Sequence, residues 1–153
     1  MYENFKFKEI TGRIIGCAME VHKILGNGFQ ESVYQKALSI EMSLQQMTFN
    51  EQFVMPVFYK GIQIKTRRVD FLVESDVSVE IKAVHLLDES DIAQAINYLE
   101  AYNLEIGLLI NFGCKSLQFR RFINSKFKPF PLGEPQIKPD LGIGKNRTQS
   151  KSD

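Results

Sequence analysis

Two carboxylates and a lysine interrupt a run of hydrophobic residues between positions 68 and 84. Asp70 lies inside "RVDFLV", and Glu80 and Lys82 lie inside "VSVEIKAV". Strand interiors disfavour charge, and burial of an unpaired carboxylate is costly. These three residues are therefore the first candidates for a chemical role.

The surrounding sequence predicts a hairpin that brings the two acids together. A three-residue turn "ESD" pairs Val73 with Val77. In that register Asp70 lies opposite Glu80, with Cβ atoms about 4.5–5.5 Å apart. Lys82 shares their face because side chains alternate along a strand. The opposite face is apolar and consists of Val69, Phe71, Val73, Val77, Val79, Ile81 and Ala83.

Opposed carboxylates repel each other, so this arrangement needs a compensating feature. One acid stays protonated, or Lys82 neutralises part of the charge, or a hard divalent cation binds both acids, as Mg²⁺ does with carboxylate oxygens. The hairpin alone leaves these three options open, together with the ordinary case of solvated charges on an exposed strand face.

The rest of the chain predicts elements in the order ααβββαββ. Apolar residues at helical spacing predict helices over about 9–25, 30–46 and 90–103, with Ser90 as the N-cap of the third. Alternating or continuous apolar runs predict strands over 51–59, 62–73, 77–84, 106–112 and 117–123. Pro56 indicates that the first strand lies at an edge or carries a bulge. Helices on both sides of the strand block predict an α/β sandwich with a mixed sheet.

The length of the chain predicts one globular domain. The chain has 153 residues, and we assign the domain to residues 1–128. Residues 129–153 are rich in proline, glycine and charged residues. This composition predicts a basic tail that is loosely docked or disordered. The two cysteines lack a CxxC spacing, which favours reduced thiols over a zinc site.

Charge and hydropathy narrow the classes of partner. The net charge is +1, but residues 126–153 carry six Lys and Arg residues against three acids. Such a tail either contacts a polyanion or is simply solvated. No apolar run is long enough to cross a bilayer, and the N-terminus lacks the apolar region of a secretory signal. We therefore predict a cytoplasmic protein without a membrane partner.

The spacing of the acids resembles a known family pattern. Asp70, followed ten residues later by Glu80-Ile81-Lys82, is similar to the PD-(D/E)XK nuclease superfamily, with Val69 in place of the proline. This resemblance implies a three-layer α-β-α sandwich with a central mixed sheet, of the restriction-endonuclease-like type.

A second motif resembles a subfamily. "GFQESVY" is Gly28-x-x-Glu31-x-x-Tyr34, similar to the signature of the bacterial GxxExxY family. "VEIKAV", "NYLEA" and "GLLINFG" follow in that family's order, so that the resemblance covers about residues 9–123.

The resemblance implies roles for the candidate residues. Asp70 and Glu80 would be metal ligands, and Glu31 would complete the site directly or through a metal-bound water. Lys82 would orient the attacking water or stabilise charge on the phosphate. Mg²⁺ is the expected ion, with Mn²⁺ as a substitute.

Further residues surround this predicted site. RecB-type nucleases carry a Gln-x-x-x-Tyr motif similar to Gln94 and Tyr98, which share one helix face because they are four residues apart. Gln94 would contact metal-bound water or phosphate, and Tyr98 and Tyr34 would support the site or simply pack. One arginine from each of the pairs at 67–68 and 120–121 is a candidate for contact with phosphate.

Two functions are compatible with these observations. The first is a Mg²⁺-dependent nuclease that hydrolyses phosphodiester bonds of DNA or RNA. The second is a non-catalytic module that keeps the nuclease fold and binds nucleic acid or protein, which the near-neutral charge favours. A homodimer or a protein partner is compatible with either function.

Overall fold

The computed structural model describes residues 2–129, and their side chains from Phe7 onward. All but the first residue of the predicted tail at 129–153 lies outside the described residues. The helices are α1 (Tyr2–Leu25), α2 (Glu31–Leu44) and α3 (Glu89–Ala101). The strands are β1 (Phe49–Tyr59), β2 (Ile62–Val73), β3 (Val77–Lys82), β4 (Ile106–Asn111) and β5 (Gln118–Ile123).

The five strands form one mixed sheet in the order in which they follow along the chain. Neighbouring strands are antiparallel except for β3 and β4, which are parallel and are joined through α3. A parallel pair needs such a crossover because its strands run in the same direction. The predicted order of elements and the predicted mixed sheet are confirmed.

Two apolar clusters cover the two faces of the sheet. In the first, α1 and α2 pack against residues such as Phe71 and Val79. In the second, Leu99 of α3 packs against residues such as Leu72 and Leu109. All six residues of β4 are buried, as expected for a strand covered on both sides. The predicted α-β-α sandwich is therefore confirmed.

The first strand has both features that Pro56 indicates. β1 is an edge strand of the sheet, and its pairing with β2 shifts by one residue between Val57 and Phe58. The missing N–H of a proline is tolerated at an edge, where no third strand needs it.

β2 and β3 form the predicted hairpin, but their ladder is short. The paired residues are Val73 with Val77, Leu72 with Ser78 and Phe71 with Val79. These pairs confirm the predicted register. The ladder ends before Asp70 and Glu80, which are therefore not a directly paired cross-strand couple.

The alternation of side chains also changes at Asp70. Phe71 packs in the first cluster, whereas Val69 packs in the second, so the prediction that both share one apolar face is wrong. Gln52 of β1 would be the partner of Asp70 but is not paired with it, and it has a φ of 51°. A left-handed residue in a strand alters its twist and re-aims the following side chains.

The predicted N-cap of α3 is also wrong. Asp88, not Ser90, caps this helix by accepting a hydrogen bond of 2.9 Å from the Asp91 N–H. Asp91 completes a capping box by accepting from the Asp88 N–H at 3.1 Å. An ionised carboxylate is a stronger acceptor at the positive helix end than a hydroxyl, and the Ser90 hydroxyl instead donates to Asp88 at 2.7 Å.

Candidate active site

The end of the short β2–β3 ladder positions the first acid. Asp70 lies where β2 and β3 diverge, and its Oδ2 accepts a hydrogen bond of 2.7 Å from the Ile81 N–H. The carboxylate thus takes the place of a backbone acceptor between the strands. Ile81 faces the first cluster, so its neighbours Glu80 and Lys82 point to the opposite side of the sheet, toward α3.

Glu80 is held by a cation that belongs to β2. Its Oε1 lies 3.1 Å from Arg67 Nη2, and only 13% of the Glu80 side chain is exposed. The same guanidinium lies over the ring of Tyr98, with 4.3 Å between Arg67 Cζ and the ring centroid. Arg67 therefore links the acid of the central strand to α3.

Lys82 is fixed through both its backbone and its side chain. Its carbonyl oxygen accepts a hydrogen bond of 2.8 Å from the Phe112 N–H at the end of β4. Its Nζ lies 3.6 Å from Asp91 Oδ1 in the first turn of α3. The capping box that starts α3 thus also positions the partner of Lys82.

One narrow cleft collects the side chains of β2, β3 and α3. Its lining residues are Arg67, Glu80, Lys82, Asp91, Gln94, Ala95, Tyr98 and Leu109. Gln94 and Tyr98 lie in the same cleft as Glu80 and Lys82, where the helix spacing predicts them. A second, more open depression near His85 and Cys114 contains none of the predicted acids.

Glu31 is the first residue of α2 and does not line the cleft, and Tyr34 fixes the loop that precedes it. The Tyr34 hydroxyl donates to the Gly26 carbonyl at 2.6 Å and accepts from the Phe29 N–H at 3.1 Å. The buried Tyr34 ring stacks on Phe112, with centroids 4.7 Å apart. Tyr34 thus lies in the core and not in the cleft, and it can support the site only through this loop.

Burial raises the pKa of all three carboxylates, and Asp70 adds to the rise at the other two. Burial raises the pKa of Glu80 to about 7, with a further increase from Asp70 and opposition from Arg67 and Lys82. Burial also raises the pKa of Asp70, against a backbone hydrogen bond and the same two cations. Partial desolvation and the charge of Asp70 raise the pKa of Glu31, although this residue is exposed overall. The acids therefore belong to one electrostatic site.

The carboxylates of Glu31, Asp70 and Glu80 have the chemistry to bind a hard divalent cation, but in this structure they are not arranged to do so. Carboxylate oxygens are the ligands that Mg²⁺ prefers, and crowded acids of raised pKa are stabilised by an added cation. Among the described side chains of residues 7–129, however, no group of three or more His, Cys, Asp or Glu residues stands close enough to hold an ion. Arg67 and the Ile81 N–H contact the acids instead.

Sequence patterns did not identify every residue of the cleft. Arg67 was expected only as a phosphate contact, and strict alternation from Asp70 would place Arg68 on that face instead. Tyr102 does not line the cleft but stacks on Tyr98, with ring centroids 6.0 Å apart, and its buried hydroxyl has no hydrogen-bond partner. An i, i+4 pairing of two tyrosines is the signal that could have drawn attention to it. Of the other arginine pair, Arg121 lies elsewhere, since its Nε donates to Thr11 Oγ1 at 3.0 Å.

Fold and site together define the class of protein. A five-stranded mixed sheet between helical layers, with an acid-bearing hairpin that includes its central strand, is a restriction-endonuclease-like α/β domain. The family model of the PD-(D/E)XK nuclease superfamily matches residues 8–122, and the chain belongs to that superfamily. Comparisons with curated proteins and with solved structures gave no significant match. No helix among the described residues is long and apolar enough to cross a membrane.

Proposed function

We propose that the protein is a Mg²⁺-dependent nuclease that hydrolyses phosphodiester bonds in DNA or RNA. The observation that carries this proposal is the shared electrostatic site of Glu31, Asp70 and Glu80, with Lys82 beside it, in a chain of a nuclease superfamily. Structural strand charges are normally solvated, whereas burial raises the pKa of all three acids and the charge of Asp70 adds to the rise at Glu31 and Glu80.

Each residue has a stated role in this proposal. Asp70 and Glu80 would hold the ion, and Glu31 would complete its surroundings. Mn²⁺ would serve as a substitute for Mg²⁺. The bound ion would supply Lewis acidity and an activated water. Lys82 would stabilise the negative charge that develops on the phosphate.

The neighbouring helices and the subfamily motif have roles of their own. Gln94 and Tyr98 would bind a phosphate oxygen or orient the water from α3. The GxxExxY assignment belongs to the same proposal, because the contacts of the Tyr34 hydroxyl suit a motif that positions Glu31.

A second candidate is a non-catalytic module that binds nucleic acid or protein. It is favoured by the Arg67–Glu80 contact of 3.1 Å, which occupies one of the two principal ligands. In this alternative Arg67 permanently replaces the metal, and the site stabilises the fold without turnover.

A cleavage assay separates the two candidates. Wild type and Asp70→Asn would be incubated with single- and double-stranded DNA and RNA in Mg²⁺, in Mn²⁺ and in EDTA. If the protein is a nuclease, wild type should cleave at least one of these nucleic acids in Mg²⁺ or Mn²⁺. No cleavage is expected in EDTA or by the variant. Metal binding by wild type without cleavage of any of these nucleic acids would support the module.

A further inference from the structure

The first two strands extend beyond the sheet as a two-stranded arm, which we define as residues 53–69. β3 pairs with only the last three residues of β2, so within the described residues the strands of the arm pair only with each other. Residues 58–66, which include the turn at the tip, are all exposed. The arm also presents large hydrophobic side chains to solvent, namely Val54, Phe58, Tyr59, Ile62 and Ile64.

The arm is strongly basic in a chain that is nearly neutral. It contains Lys60, Lys65, Arg67 and Arg68 and no acid, a net charge of +4. The whole chain has a net charge of +1, so the residues outside the arm sum to −3. A surface on which cations alternate with exposed aromatic rings is typical of proteins that bind single-stranded nucleic acid.

The face of the arm that carries Arg67 and Lys65 is continuous with the cleft. Directly opposite residues of an antiparallel pair share one face, and Arg67, which contacts Glu80, is opposite Met55. The next pairs on this face toward the tip are Val57 with Lys65 and Tyr59 with Ile62. A nucleic-acid strand that lies along this face would therefore lead directly to Glu80 in the cleft.

We propose that the arm binds nucleic acid and guides it into the cleft. Lys60 and Lys65 contact phosphates, and the Tyr59 ring, 61% exposed at the tip, stacks on a base. The choice of nucleic acid as ligand rests on the proposed function and on charge. A second copy of this chain is the poorer occupant, because two arms of charge +4 repel each other.

The test measures binding of the full chain in EDTA, which prevents metal-dependent cleavage. The probes are a fluorescent single-stranded DNA of about 20 nucleotides and its duplex, titrated at several salt concentrations. Each lost phosphate contact reduces the salt slope by about 0.7 for a single strand and about 0.9 for duplex DNA. Lys60→Gln combined with Lys65→Gln should therefore reduce the slope by about 1.4 or 1.8. Lys23→Gln removes an exposed charge of α1, which covers the other face of the sheet, and should leave the salt slope unchanged.

A second variant tests the aromatic contact separately. Tyr59→Ala should weaken binding by at least about fivefold, the lower limit for one stacked base, without changing the salt slope. The proposal is overturned if wild type binds neither probe, or if the double lysine variant retains the wild-type slope. It is also overturned if wild type is a dimer by light scattering that Tyr59→Ala dissociates while DNA binding is unaffected.

These outcomes are independent of catalysis. Arm-dependent binding without cleavage in Mg²⁺ or Mn²⁺ would support the arm and count against the nuclease. Cleavage and binding that are both insensitive to the arm variants would support the nuclease and count against the arm.

Discussion

At the scale of single residues, Glu80 predicts an unusual dependence of stability on pH. Its pKa is raised to about 7 in the folded protein from an ordinary 4.5, so the folded state holds a proton that the unfolded state has released. Stability should therefore fall as pH rises from about 4.5 to 7 and level off above. The shifts of Glu31 and Asp70 have the same sign.

Urea denaturation in EDTA measures this effect. The expected fall in the free energy of unfolding is on the order of 3 kcal/mol if the whole pKa shift is expressed. Glu80→Gln should remove most of this fall, because glutamine cannot ionise. The exposed Glu51→Gln is the matched control and should retain the wild-type profile. A wild-type stability that rises between pH 5 and 7 would contradict this account.

Lys82 is predicted to act on the phosphate and not on the ion. Lys82→Ala should retain the stabilisation by Mg²⁺ and should lower turnover by about 10²-fold or more, the usual cost of removing an electrostatic stabiliser of the transition state. Lys126→Ala is a matched control, since both lysines lie 3.6 Å from an acid but Lys126 pairs with Glu100 outside the cleft. Melting curves with and without Mg²⁺ and single-turnover cleavage would be measured for both variants. Equal turnover in the two would remove Lys82 from the site.

At the scale of elements, the loop before α2 depends on one hydroxyl. Tyr34→Phe keeps the stacked ring but removes the bonds to the Gly26 carbonyl and the Phe29 N–H. We expect a loss of about 1–3 kcal/mol, because polar groups lose their partner in a partly buried position. Reduced turnover should accompany it, since the loop positions Glu31.

Tyr102→Phe is the matched control for this substitution. Its buried hydroxyl has no hydrogen-bond partner, so its removal should leave the free energy of unfolding unchanged or higher. Denaturant unfolding of the two variants gives the comparison. An equal effect of both substitutions would mean that the Tyr34 hydrogen bonds contribute nothing to the loop.

Element order and sheet pairing follow from local patterns, whereas the irregular positions do not. The apolar run of β4, the break at Pro56 and the turn after Val73 each predict a feature that the structure confirms. The change of alternation at Asp70 was not predictable, because it depends on the left-handed Gln52 of a neighbouring strand. Strand patterns assume strict alternation, and for this reason they predict neither the side of the sheet on which Val69 packs nor the contact of Arg67 with Glu80.

The candidate site was predictable only as a set of residues. Glu80, Lys82, Gln94 and Tyr98 share a cleft because the periods of a strand and a helix place them there. The partners of these side chains depend on tertiary contacts that spacing does not encode, such as Arg67 on Glu80 and Asp91 on Lys82.

At the scale of the whole molecule, charge is divided between a basic arm and an acidic remainder that contains the site. An ion that binds the crowded acids should relieve their repulsion and stabilise the entire fold. In the absence of metal, Asp70→Asn should be as stable as wild type or more so, because an amide oxygen still accepts from the Ile81 N–H while one charge is removed.

Thermal unfolding of wild type and Asp70→Asn, each with and without Mg²⁺, tests the central claim without knowledge of the substrate. Mg²⁺ at about 100 times its Kd should stabilise wild type by about 2.7 kcal/mol, and the Tm should rise by several degrees. The same concentration should do much less for Asp70→Asn. If Mg²⁺ shifts neither protein and Asp70→Asn is less stable than wild type in EDTA, Asp70 and Glu80 belong to a structural ion-pair network and the metal-dependent site does not exist.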